Sequence, residues 1–175
     1  MVAFFVRLEV DPSALTGTSP RRGGLHKKHL VETYGRVMVP EVLAKAKIVA
    51  FDPGRNVGVA YVDAEGTLLH GEIVDLGAVK RLEYPPHAQI IIGDGTGSRA
   101  IQDIFMKLGL EFKVVDEKGT TLAAKDLYFE DHPPTGWTRF LPPGLWSPPR
   151  NIDEYAAYAI GLRFLKNSKI EKFEN

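Results

Sequence analysis

From Ile48 onward the chain is divided into short apolar runs closed by turn residues, and this punctuation limits it to small strands joined by tight connections. Ile48-Val49-Ala50-Phe51-Asp52 ends at Pro53-Gly54, Val57 to Val62 follows, and Asp63-Ala64-Glu65-Gly66 is a turn into a third run, Thr67 to Val74. Three strands with such short links predict an antiparallel meander. Ala88 to Ile92 is an unbroken apolar strand of the kind buried on both faces. Ser98 to Leu108 places Ile101, Ile104, Phe105 and Leu108 at helical spacing, with Ser98 as the expected N-cap. Phe112 to Val115 reads as a fifth strand, Thr121 to Phe129 as a helix, and Asn151 to Leu165 as the last helix. The segment 131–149 holds six prolines and both tryptophans, so it is expected to be an ordered loop. The order predicts an α/β fold: a mixed β-sheet, half antiparallel meander and half parallel crossovers, flanked by helices.

Ahead of this domain, taken as residues 47–166, lies an arm, 1–46, and behind it a charged tail, 167–175. Residues 1–48 carry Arg7, Arg21, Arg22, Lys27, Lys28, Arg36, Lys45 and Lys47 against only Glu9, Asp11, Glu32 and Glu41. Within the arm, Phe4 to Val10 reads as a short strand and Thr16 to Gly24 as a polar loop. Overall, 22 Lys+Arg balance 22 Asp+Glu, which argues against a strong non-specific polyanion binder but leaves room for a local basic patch. The chain has no cysteine, so it has no disulfide framework, thiolate nucleophile or cysteine-ligated metal. No apolar run approaches the ~18 residues that span a bilayer. The apolar start, Met1 to Phe5, is broken by Arg7, Glu9 and Asp11 and does not read as a signal peptide; no membrane partner and a cytoplasmic location are expected.

In a sheet with parallel crossovers, ligands gather where parallel strands end. Four acids fall there: Asp52 at the end of the first core strand, Asp94 after the fourth, Asp116-Glu117 after the fifth, and Asp153 in the first turn of the last helix. If strands one, four and five are parallel neighbours, Asp52, Asp94 and Glu117 emerge at one edge. Uncompensated carboxylates repel one another unless a cation neutralises them. Oxygen-only ligands favour Mg²⁺ or Mn²⁺ over zinc, and two such ions about 4 Å apart clamp a phosphodiester for in-line attack.

These segments resemble a known family. Phe51-Asp52-Pro53-Gly54-Arg55-Asn56-Val57-Gly58-Val59-Ala60-Tyr61 is similar to the opening hairpin of RuvC-like Holliday-junction resolvases. Asp116-Glu117-Lys118-Gly119-Thr120-Thr121 resembles the Asp-Glu-Arg-x-Thr-Thr segment of the YqgF family, which includes pre-16S rRNA-processing nucleases, with Lys118 in place of arginine. Asn151-Ile152-Asp153-Glu154-Tyr155-Ala156-Ala157 resembles that family's last helix start, and Gly93-Asp94-Gly95-Thr96-Gly97-Ser98-Arg99 a stretch in the YqgF-like domain of Tex proteins, which carries Asn at the place of Asp94. The resemblance covers about residues 47–166. It implies an RNase H-like fold and a two-metal nuclease acting on a branched DNA junction or structured RNA, leaving 5′-phosphate and 3′-hydroxyl ends. Asp52, Glu117 and Asp153 would hold two Mg²⁺ or Mn²⁺ ions, with Asp94 assisting. The expected nucleic-acid contacts are Arg21, Arg22, Lys27, Lys28, Arg55, Lys118 and Arg150. Cutting a junction symmetrically would require a homodimer.

Plainer readings stand beside these. Asp52-Pro53-Gly54 and Asp94 are ordinary turn chemistry. Gly58 marks a bulge or a close backbone approach. With Asn151 as N-cap, Asp153 and Glu154 would be a dipole-favoured pair completing a capping box. The Thr120-Thr121 pair would cap its helix. Trp137 and Trp146 either cover the core or, with Arg139 and Arg150, form a stacking rim. Of the histidines, only His132 has neighbours suited to a proton shuttle. Two other functions remain: a degenerate RNase H-like binding or scaffold domain, and an actin-like ATPase, for which 175 residues leave no second domain.

Overall fold

The computed structural model describes residues 40–171, with side chains as far as residue 168. The strand expected at 4–10, the loop at 16–24 and the cations Arg21, Arg22, Lys27 and Lys28 lie outside the described residues. A short helix, α1 (Pro40–Lys45), leads into β1 (Ile48–Pro53), β2 (Val57–Val62) and β3 (Leu68–Val74). Then follow α2 (Leu76–Val79), β4 (Gln89–Gly93), α3 (Ser98–Leu108), β5 (Phe112–Val115), α4 (Thr120–Asp131) and α5 (Asp153–Glu171). The sheet order is β3-β2-β1-β4-β5. β1 pairs antiparallel with β2, and β2 with β3, whereas β1–β4 and β4–β5 are parallel. This is the mixed sheet of meander plus parallel strands expected from the sequence.

The alternation along β1 divides its side chains between two cores, as the two-residue period of a strand requires. Val49 and Phe51 join Val59, Tyr61, Ile92, Ile101 and Phe105 on the face covered by α3. Phe105 meets Phe51 edge-on at 5.1 Å and Tyr84 at 5.5 Å. Ile48 and Ala50 turn the other way, to Ala60, Val62, Ile91, and Ala157 and Ile160 of α5. Because both faces are covered, residues 48–51 of β1, Val57–Val62 of β2 and residues 90–92 of β4 are continuously apolar and buried. Small residues let α5 lie close: a methyl added at Gly161 would sit 3.3 Å from Ala50 Cβ and 3.4 Å from Val62 Cγ2.

Several local expectations are corrected. Ser98 does not cap α3; it is the buried first residue of that helix, Gly97 holds the cap position, and Ser98 Oγ accepts from Gln102 Nε2 at 2.9 Å. Gly119, in a left-handed conformation at φ +84°, precedes α4, while Thr120 Oγ1 donates back to the Glu117 carbonyl at 2.7 Å. α5 begins at Asp153 rather than Asn151, with the Ile152 carbonyl accepting from Tyr155 and Ala156, so no capping box from Asn151 forms. The last helix runs on to Glu171, through residues read as tail. Residues 40–46, read as arm, place Val42, Leu43 and the buried Ala46 against the first core. The 131–149 loop contains two 3-10 turns, Gly136–Phe140 and Pro143–Leu145. No helix among the described residues is long and apolar enough to cross a membrane.

Candidate active site at the acidic sheet edge

β1 and β4 are parallel and β4 and β5 are parallel, so their C-terminal ends open on one edge, as the sequence-based reading required. Backbone bonds tie the emerging loops together: the Gly97 N–H donates to the Pro53 carbonyl and the Asp94 N–H to the Val115 carbonyl, both at 3.1 Å. Asp52 is opposite Gly58 in the antiparallel register, and directly opposed residues share a face. That face is the one covered by α5. A Cβ at position 58 would overlap the backbone carbonyl of Asp153, so Gly58 is the close approach that brings the start of α5 down beside Asp52.

Glu117 reaches the same edge from the β5 side. Its carboxylate lies over the end of β4, where a Cβ at Gly93 would come 2.6 Å from Oε2 and one at Gly95 2.5 Å from Oε1. The two glycines therefore make the space the carboxylate fills. Glu117 Oε2 is buried and accepts no hydrogen bond. Asp94 is exposed, and its Oδ1 accepts the Glu117 N–H at 3.0 Å. It holds the Glu117 backbone, a positioning role on which the sequence was silent. Asp116 turns outward, its Oδ1 accepting from the Lys118 N–H at 2.8 Å and its Oδ2 lying 4.0 Å from Arg163.

The electrostatics record this crowding. Burial raises the Asp52 carboxyl from an ordinary 3.8 to about 6, reinforced by the charges of Glu117 and Asp153. Glu117 is also raised, first by burial and then by Asp94, against a lowering hydrogen bond from Gly95. Among the described residues, no Lys, Arg or His is within ion-pair distance of Asp52, Glu117 or Asp153. Among the described residues, no set of three or more His, Asp or Glu side chains is gathered closely enough to hold a metal ion as they stand. The donor set still fits a hard divalent cation: it is all oxygen, it lacks countercharge, and one buried oxygen has no partner.

The remaining candidates separate. Arg55 and Lys118 are exposed at this edge's loops, Arg55 after β1 and Lys118 after β5. Arg150 is engaged elsewhere, its guanidinium 2.6 Å from Glu154 Oε1 and stacked 5.9 Å from the Tyr128 ring centroid. His132 stacks on Tyr128 at 4.5 Å and lies 3.4 Å from the Tyr155 hydroxyl, which donates to Asp131 at 3.0 Å. This polar knot holds α4 to α5. Sequence reasoning passed over Gly93 and Gly95 as makers of space; adjacent glycines flanking an acid after a buried strand were the available signal.

No family model matches the chain, and no curated protein matches it. Among solved structures, it is similar to Thermus thermophilus RuvC at 16% sequence identity, over 71% of this chain and 96% of that one, with a TM-score of 0.40. A likeness of that degree carries no argument about the site or the substrate.

Proposed function

We propose that this chain is a metal-dependent endonuclease that hydrolyses phosphodiesters in structured nucleic acid, a branched DNA junction or structured RNA. The observation that carries the reading is Asp52, half-buried at the meeting of β1 with α5, whose carboxyl is raised to about 6 by partial burial and by the uncompensated Glu117 and Asp153. Isolated buried charge is costly, and acids with no partner of their own are best accounted for by a ligand of opposite charge. Asp52, Glu117 and Asp153 would hold divalent ions. When bound, such ions supply an acidified attacking water and stabilise the leaving 3′-oxygen.

The chain's own residues have distinct tasks. Asp52, fixed by the β1–β2 ladder, is the rigid central donor. Glu117 offers its unpartnered Oε2, and Asp94 keeps the Glu117 backbone in place. Gly58 sets the depth at which Asp153 enters. Arg55 and Lys118, on the adjoining loops, are suited to phosphate contacts. A second reading, an RNase H-like binding domain without chemistry, draws support from the acids not gathering, among the described residues, as a set of three that could hold a metal ion.

The test is cleavage of labelled four-way junction, duplex, single-stranded DNA and hairpin RNA with Mg²⁺ or Mn²⁺, beside Asp52→Asn. Asp52→Asn should lower cleavage by more than the roughly 100-fold that loss of an outer-shell partner costs. Thermal stability should rise with Mn²⁺ in the native chain and not in Asp52→Asn. Binding without cutting, unaffected by EDTA or by Asp52→Asn, would establish the second reading instead.

A further inference from the structure

The segment between α4 and α5 exposes large apolar rings that its own packing does not use. Trp146 is the anchor: its Nε1 donates to the Leu141 carbonyl at 3.0 Å, and its ring meets Phe129 edge-on at 5.4 Å. Lys125 Nζ bonds the Gly144 carbonyl at 3.2 Å, fastening the loop to α4. In contrast, Trp137 is 72% exposed and Phe140 76% exposed. The two stand three residues apart in the 3-10 turn Gly136–Phe140, a helix with three residues per turn, so they project from one side. The Arg139 guanidinium lies 4.7 Å from the Phe140 ring centroid.

We propose that Trp137 and Phe140 form a stacking platform for unpaired nucleobases, with Arg139 contacting the adjoining phosphate; this rests on the reading of the chain as a nucleic-acid enzyme. Charge favours this occupant. Residues 133–152 contain Arg139 and Arg150 and no Asp or Glu, in a chain of net charge zero. Arg150 is held by Glu154, which leaves Arg139, resting only on a ring, as the cation presented with the aromatics. Exposed rings beside a guanidinium, free of acids, match a base and its phosphate, because every base offers a π-face. Connectivity favours it too. The segment runs from the end of α4, where Asp131 accepts from the Tyr155 hydroxyl, to the start of α5 at Asp153, so its second end adjoins the acidic edge. An anchored loop loses little freedom on binding.

The experiment uses the full chain in EDTA, where binding is read without cleavage. Anisotropy is measured on labelled oligo-dT and on a duplex of equal length, for native chain, Trp137→Ala, Phe140→Ala and Trp137→Phe. Trp137→Ala should weaken single-strand binding on the order of tenfold, with Trp137→Phe retaining most of it and the duplex much less affected. In Trp146→Phe, where Trp137 is the sole tryptophan, saturating oligo-dT should quench the emission. Unchanged affinity in Trp137→Ala, or no quenching, overturns the platform. So does concentration-dependent self-association lost in Trp137→Ala, which would make this face a seat for a second copy. Binding through Trp137 by a chain that cuts nothing would remove the nuclease and keep the platform. Cutting with unchanged affinity in Trp137→Ala would do the reverse, and no binding of any nucleic acid would remove both.

Discussion

Asp153 and Glu154 are adjacent acids in the first turn of one helix, yet they enter opposite environments. Asp153 descends over Gly58 of β2 toward Asp52, which also feels the charge of Glu117, and no cation among the described residues answers these acids. Glu154, 5% exposed, packs over Gly71 of β3 and is met by Arg150 at 2.6 Å. Each has a glycine beneath it, but Gly58 faces backbone whereas Gly71 faces the Glu154 side chain, 3.2 Å from an added methyl. Glu154 Oε2 also lacks a hydrogen bond, so an orphan oxygen alone does not distinguish the two regions. The neighbouring charge does: the knot around Arg150 is balanced by a cation, and the acidic edge has no countercharge among the described residues.

The largest expected effect is at Gly58. Gly58→Ala forces a methyl into the Asp153 carbonyl and should cost about 3 kcal/mol in urea unfolding, at the upper end for overpacking. A loss below about 0.5 kcal/mol would mean that α5 does not seat as described.

Next comes Arg150. Its removal leaves Glu154 buried without countercharge, although the half-exposed guanidinium moderates the loss; Arg150→Ala should cost about 2 kcal/mol. Adding Glu154→Gln should recover most of it, and a double-mutant cycle without coupling would show that the knot is not balanced by this pair.

Asp52→Asn should act in the opposite direction. In the folded chain the Asp52 carboxyl titrates near 6, against 3.8 ordinarily, so folding favours its protonated form. That contribution is complete below about pH 4 and is lost as pH rises through about 6. At pH 8, in EDTA, Asp52→Asn should therefore be more stable than the native chain by on the order of 1–2 kcal/mol, since water still screens a half-buried group. The gain should vanish at pH 4; a constant gain at both pH values would assign it to packing rather than charge.

Gly71→Ala is the smallest change, about 0.5–1 kcal/mol, because a flexible side chain can yield where backbone cannot. Equal losses at Gly58 and Gly71 would erase the distinction between the two regions.

Much of this was legible beforehand where the signal was local. Val57–Val62, Ser98–Leu108 and Phe112–Val115 have the expected bounds, because alternation, helical spacing and turn residues act within a few positions. The order of elements predicted a meander plus parallel crossovers, while the adjacency of strands one, four and five entered only as a condition, which the sheet order β3-β2-β1-β4-β5 meets. Helix starts were less legible. Ser98, Thr120 and Asn151 are all good capping residues by type, yet Gly97, Gly119 and Ile152 precede the helices, because tertiary contacts decided where each first turn could bury. Gly58 was readable as a close approach, but not what approaches it.

The sequence by itself determined the elements, their order and the acids at the strand ends, since these depend on residue type and on spacing of a few residues. Only the tertiary structure decided which acids share an environment. It turned Asp94 to the Glu117 backbone, drew Asp153 beside Asp52 across about a hundred residues of chain, and gave Glu154 to Arg150. Charge interactions depend on distance and burial, and neither exists until the sheet has brought distant segments to one edge.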